Sequence, residues 1–226
     1  MRKIVSIILL VIAALGIRLS LKEVRFGEHE TEVGKHYVDE GRDETGATNI
    51  VTSVVVSYRG FDTLGEVTVL FIAATGLGAV LTAGGGGKMR KTEPASLVLY
   101  TGCRILFPLI LIFGIYIFIH GHLTPGGGFQ GGAIIASGFL LNYLGCRERR
   151  ISRVASNLAE SLGGLIFVVI GLLGLVFGGY FLLNFLPKGT PNTLFSAGII
   201  PIIYIAIGFK VGSELASIID NLIEES

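Results

Sequence analysis

Few residues in this chain combine a reactive type with an unusual placement, and those that do are carboxylates, one lysine and two histidines next to or inside apolar runs. Glu66 stands about one turn into an apolar run that ends near Ala83, and Asp62 lies four positions earlier on the same helical face. A carboxylate there can hold a proton or Na+, and partial burial favours its protonated form near neutral pH. The structural alternative is a helix N-terminal carboxylate stabilised by the macrodipole. Lys210 and Glu214 are four apart in the last apolar run and can pair, or Lys210 can snorkel to the interface. His120 and His122 flank Gly121 at the end of another run. Imidazoles there can relay protons near neutral pH or act as interfacial hydrogen-bonding groups. Two apart on a helix, they would not share a face, which weakens a metal reading. Ionisable groups are expensive in hydrocarbon, so each is a functional hypothesis by default. The sequence offers no nucleophile–base pair, metal cluster or cofactor motif. No catalytic residue, metal ligand or cofactor is therefore expected in this chain, and whether it serves an enzyme depends on what it assembles with.

The stretch from His120 to Gly132, HGHLTPGGGFQGG, separates two apolar runs. Its glycines visit positive φ freely, and Pro125 removes a donor and fixes its own φ, so the stretch cannot be an ordinary helix. Irregular backbone at membrane depth is tolerated only where protein or a wet cavity surrounds it. Thr124, Pro125, Gly126, Gly127, Gly128, Gln130, Gly131 and Gly132 thus form either a wet, polar-lined point or a tight packing joint. Gln130 and Thr124 supply the donors and acceptors for the first. Gly126, Gly128 and Gly131 match GxGxxG, but no βαβ pattern surrounds them and no acidic residue follows about 20 positions later. GGGGK at 84–88 is no P-loop, because Met89 stands where Ser or Thr would bind Mg2+.

The elements that must position these groups are membrane helices. The chain is 51% hydrophobic and 15% charged, against about 25% charged in soluble domains, and its mean hydropathy is +0.71. A net charge of +1 argues against nucleic-acid binding. Cys103 and Cys146 lack CxxC spacing, which argues against metal or redox use. Runs near the roughly 20 residues a bilayer needs predict an all-α integral membrane protein of about six transmembrane helices, the glycine-rich stretch lying between the third and fourth. The first begins behind Arg2 and Lys3 and ends near Arg18; no small-x-small site follows it, against a cleaved signal peptide. The second is the apolar span that Arg59–Glu66 runs into, ending near Ala83, and the third lies within Ser96 to Ile119 with Pro108 inside. The fourth, Ala133 to Leu144, crosses only if it begins near Gly128. The fifth is expected over Leu158–Phe185 and the sixth over Leu194–Ile219, with Gly174/Gly178 and Gly208/Gly212 spaced for helix packing. Lys22 to Arg59 reads as a solvated acidic loop, in which Asn49–Tyr58 could lie along the membrane surface or a partner. The distribution of Lys and Arg puts both termini in the cytoplasm.

Two motifs carry a family resemblance. LTPGGGFQGG, Leu123–Gly132, resembles the signature of the B subunit of multisubunit Na+/H+ antiporters of the Mrp type, which recurs in membrane-bound hydrogenases and related archaeal respiratory complexes. RGFDTLGE, Arg59–Glu66, resembles the C-terminal part of the large antiporter A subunit, a piece that is a separate small subunit in hydrogenase-type complexes. The resemblance implies a two-helix piece at 1–85, a glycine-rich linker at 86–94 and a four-helix B-like domain at 95–226. It implies a cell-membrane subunit of an antiporter module moving Na+ and H+. Its partners would be other membrane subunits and a membrane-anchored oxidoreductase arm of hydrogenase or sulfur-reductase type. The alternative is a structural scaffold joining partner subunits while ions travel elsewhere. An independent transporter fits poorly, because no internal repeat is evident.

Overall fold

A computed structural model describes residues 2–23, 31–83, 95–146 and 152–225. These divide into two compact units, Met1–His36 and Tyr37–Ser226. The first holds α1, Arg2–Glu23. Its apolar run covers 19 residues and is exposed throughout. A helix apolar on all sides suits lipid rather than a core face. It continues past Arg18, where it was expected to stop.

The second unit is built around α8, Ile200–Glu225. In the membrane-length window of α8, 56% of residues are buried, against 6% in α4, Gly60–Ala83. α8 also packs against α5, Leu97–Ile119, α6, Gly128–Gly145, and α7, Arg153–Gly178. Among the described residues five helices, α1, α4, α5, α7 and α8, are long and apolar enough to cross a membrane. The short fourth span does begin at Gly128, and its 18 residues reach about 27 Å at the helical rise of 1.5 Å per residue. α5 opens on Ser96, whose Oγ accepts from Leu99 N at 3.2 Å, a capping bond that satisfies one orphan amide. The core around α8 joins Ile199, Ile200, Ile203, Ile207 and Val211 to Phe167 and Ile170 of α7 and Val67 of α4.

Further expectations are corrected. The polar stretch before Arg59 is not wholly a solvated loop: α2, Glu32–Thr45, forms there. Its Gly41 and Thr45 are buried, and Thr45 Oγ1 donates to Gly41 O and shares a 2.7 Å hydrogen bond with Ser53 Oγ. Asn49–Tyr58 turns one face into this chain and leaves Val51 and Val55 exposed on the other. It forms α3, Ile50–Thr52, continued by a π-helical segment, Ser53–Tyr58, with Thr52, Ser53 and Val56 buried. Finally, the fifth span stops at Gly178 rather than Phe185, and the sixth starts at Ile200 rather than Leu194. Gly179 at φ +88° caps α7, and the chain folds back so that Leu182 N donates to Gly171 O at 3.2 Å. A Cβ on Gly174 would lie 2.6 Å from Leu183 N. Gly174 and Gly178 therefore seat the returning strand of chain and not a neighbouring helix. Asn184 fixes that return, its Oδ1 accepting from Ile199 N at 3.0 Å and its Nδ2 donating to Ala197 O at 3.1 Å. The linker expected at 86–94 lies outside the described residues.

Candidate functional site

Lys210 and Glu214 form a buried ion pair on α8, with Nζ 3.0 Å from Oε2. The two side chains are 9% and 0% exposed, so neither snorkels out. The i, i+4 spacing puts both on one face of the helix, and neighbouring helices close over it. A Cβ on Gly163 of α7 would lie 3.0 Å from Lys210 Cβ, and one on Gly164 would lie 3.7 Å from its Cδ, so two glycines make the groove for the lysine stem. The ammonium sits 5.3 Å from the ring centroid of Phe71 on α4, within cation–π range. Glu160 of α7 acts electrostatically on Glu214. Glu214 Oε1 is buried with no hydrogen-bond partner. That oxygen keeps its lone pairs open to a proton, a water or a cation, while the neighbouring ammonium holds the carboxylate charged.

A second polar centre joins the π-helical segment to the glycine-rich link. Asn49 Nδ2 donates to Gly121 O at 2.9 Å and Thr124 O at 3.0 Å. Thr52 Oγ1 donates to Gly121 O at 2.6 Å and accepts from the Tyr204 hydroxyl at 2.9 Å. Gly121 must be glycine, since a Cβ would lie 2.7 Å from the Tyr204 ring. His122 is fully buried here, and neither ring nitrogen makes a hydrogen bond. Burial pushes its pKa below the ordinary histidine value; the backbones of Thr193 and Leu194 oppose this, and His120 adds to it. His120 faces elsewhere: its Nδ1 lies 3.0 Å from Tyr116 O and its ring stacks on Tyr116 at 4.2 Å. The two histidines do not share a site.

The rest of the glycine-rich stretch is a close-packed joint in this chain. A Cβ on Gly126 would lie 2.7 Å from Ile117 O, on Gly128 2.6 Å from Ile207, and on Gly131 2.6 Å from Gly114 O. On Gly132 it would lie 2.9 Å from Gly212 N and 3.0 Å from Gly208 O. Gly127 takes φ +147°. Pro125 and Gln130 are exposed, as is the side chain of Thr124.

Glu66 and Asp62 stand apart from both centres. Both are exposed on α4, and Asp62 Oδ2 accepts from Arg59 Nε at 2.6 Å. α4 reaches the buried pair through Phe71 and not through Glu66. Ser156, Glu160, Ser213 and Ser217 were absent from the sequence-based expectations. Ser156 Oγ donates to Ser213 O at 3.1 Å and shares a 2.9 Å bond with Ser217 Oγ. The signal was present: Lys210, Ser213, Glu214, Ser217, Asp220 and Asn221 recur at three- and four-residue spacing, a polar stripe on a membrane helix. Thr52 and Tyr204 gave no comparable signal, being ordinary residues far apart in sequence.

Comparison with known proteins gives two family matches. A model of the domain related to the MnhB subunit of Na+/H+ antiporters matches residues 98–217, and the model of the MBH component MbhE matches residues 1–83. An uncharacterised protein of Methanocaldococcus jannaschii is 31% identical over 200 residues, covering 75% of this chain and 74% of that protein. Among solved structures, the chain is similar to one from the membrane-bound sulfane sulfur reductase, an archaeal respiratory membrane complex. The identity is 48% and the TM-score 0.80, with 100% of this chain and 99% of that one covered. It is also similar to part of a chain of the Mrp complex from Dietzia, at 28% identity and TM-score 0.77, covering all of this chain and 26% of that one. It therefore spans about a quarter of that longer polypeptide.

Proposed function

Because the chain belongs to the family of the MnhB subunit of Na+/H+ antiporters, we propose that it carries part of the ion path of its complex, at the Lys210–Glu214 pair. It is a membrane subunit of an antiporter-like, multisubunit module. The observation that carries the finer reading is the pair's burial inside a span. Desolvating two charges costs several kcal/mol per ion in general, and apolar residues would fill the same space as stably. A lysine and a glutamate kept there have a use in changing charge. A proton on Glu214 neutralises it and leaves the Lys210 ammonium without its counter-ion, and a nearby cation competes with that ammonium for the carboxylate. The names of the relatives point to Na+ and H+ as the ions exchanged. The similarity to the sulfane sulfur reductase chain supports a respiratory assembly, in which this subunit meets other membrane subunits and the redox chemistry lies elsewhere. Both termini face the cytoplasm in this reading, from the placement of Lys and Arg. Glu66 and Asp62 point outward from α4, and any part they play runs through a neighbouring subunit. His120 and His122 are separated and act singly.

The tight glycine joint favours a second reading, a scaffold that seals helices and partners together. One experiment separates the two. Na+-dependent pH change is measured in sealed inverted vesicles containing the whole complex, for wild type, Lys210→Met, Glu214→Gln and Glu66→Gln. At equal assembly, the two α8 variants are expected to lose exchange. Retained exchange in both would move the chain to the scaffold class. Loss in Glu66→Gln alone would place the path at the surface of α4 facing a partner.

A further inference from the structure

The polar stripe of α8 runs on past the ion pair to the C-terminal end of the helix. There a cavity of about 120 Å³ opens, lined by Tyr143 of α6, Ser156 and Asn157 of α7, and Ser217, Asp220 and Asn221 of α8 among others. A water needs roughly 10–15 Å³ of such space and two to four polar partners, so this cavity has room for several. Hydroxyl, amide and carboxyl groups face it, unlike the isoleucine-rich core above.

From the cavity, polar groups step inward in helical register. Ser156 and Ser217 join across the two helices at 2.9 Å. Three residues from Ser217 along α8 is Glu214, and four residues from Ser156 along α7 is Glu160, so each step stays on one face. Glu214 keeps Oε1 free of any hydrogen bond while Oε2 takes the Lys210 ammonium. Beyond Lys210 the polarity ends. Gly163 and Gly164 close on the lysine stem, and Phe167, Ile170, Ile203 and Ile207 continue as apolar core.

We propose that this cavity is a one-sided entry port, through which water-borne protons reach Glu214 from the C-terminal end of α8 and go no further by the same route. The proposal rests on the reading of Lys210–Glu214 as part of the ion path. In the step itself a hydronium ion gives a proton to a lone pair on Glu214 Oε1. The carboxylate becomes a neutral acid, water is left, the Lys210 ammonium keeps its protons, and the site gains one positive charge. Release reverses each change.

The test uses the whole complex with Cys103→Ser, Cys146→Ser and Ser217→Cys in this chain. A membrane-impermeant cationic methanethiosulfonate reagent is applied to inverted and to right-side-out vesicles, and its adduct on this chain is read by mass spectrometry. Modification is expected from the face bearing the C-terminal end of α8 only, and it slows Na+-dependent proton exchange several-fold. Asn157→Leu, which fills the cavity without a reagent, slows exchange likewise at equal assembly. Modification from neither face, or from both, overturns the port. So does modification that leaves exchange unchanged, with Asn157→Leu also unchanged, or exchange that slows only in its dependence on Na+ concentration, which would make the cavity a cation site. If instead Lys210→Met and Glu214→Gln both keep full exchange, the parent reading fails, whatever the labelling shows.

Discussion

A single buried imidazole carries a distinct pH signature. His122 has no hydrogen bond to either nitrogen and is closed off from solvent, and burial lowers its pKa. The folded chain therefore holds it neutral. The unfolded chain binds a proton near the ordinary histidine pKa of about 6.5, so the unfolded state takes up more protons than the native one between the lowered value and about 6.5. Stability is then complete above that window and falls as the pH drops into it. The melting temperature of the purified complex is expected to decline from about pH 6.5 downwards, and His122→Phe to remove part of that decline. An unchanged slope in the variant would show that His122 is not the group responsible. Residue identity alone gave the presence of two histidines, but the single residue between them sends one into the protein and the other onto Tyr116. Spacing could not show that, because the link is not a helix.

At the scale of elements, glycines set the distances. α6 touches α5 through Gly131 and Gly114 and α8 through Gly132, Gly208 and Gly212, backbone against backbone. Between apolar helices in lipid, this contact supplies van der Waals packing that larger side chains would hold apart. Gly132→Ala puts a methyl 2.9 Å from Gly212 N and Val211 Cβ, and overpacking of this kind typically costs about 1–3 kcal/mol. The expected result is a lower melting temperature and weaker assembly. Gly102→Ala on α5, where nothing of this chain lies within 4 Å, is expected to leave both unchanged or slightly improved. Equal effects of the two substitutions would remove the joint from the account. The sequence marked this stretch as special through its glycines and Pro125, and the start of α6 at Gly128 followed from the length a crossing helix needs. The pairing at Gly174 and Gly178 was misread, because small-xxx-small spacing reports a surface that admits close approach, not what approaches. Here the approaching piece is Leu182 and Leu183, turned back by Gly179. Apolar composition alone had extended α7 through those residues.

Across the whole molecule, hydropathy made the membrane helices legible, since five of the described helices carry a long, mostly apolar run. The interior site was less so. Glu66 drew notice for its depth in a run, yet depth along a helix does not say which side faces the protein, and Glu66 faces out while Lys210 and Glu214 face in. Only the packing of α4, α7 and α8 decides that. The same packing leaves two polar regions on α8, Tyr204 with Thr52 towards one end and Lys210 with Glu214 towards the other. Six residues separate Tyr204 from Lys210, about 9 Å at the helical rise. Ile207 stands midway, 2% exposed and pressed on Gly128. An exchanger needs such an apolar break, because a continuous polar line would pass protons without any return of cations. Ile207→Thr keeps a β-branched shape while placing a hydroxyl in the break. It is expected to quicken the collapse of an imposed pH gradient in sealed vesicles without Na+, while the complex still assembles. A collapse rate equal to wild type would mean that ions are stopped somewhere other than this isoleucine layer.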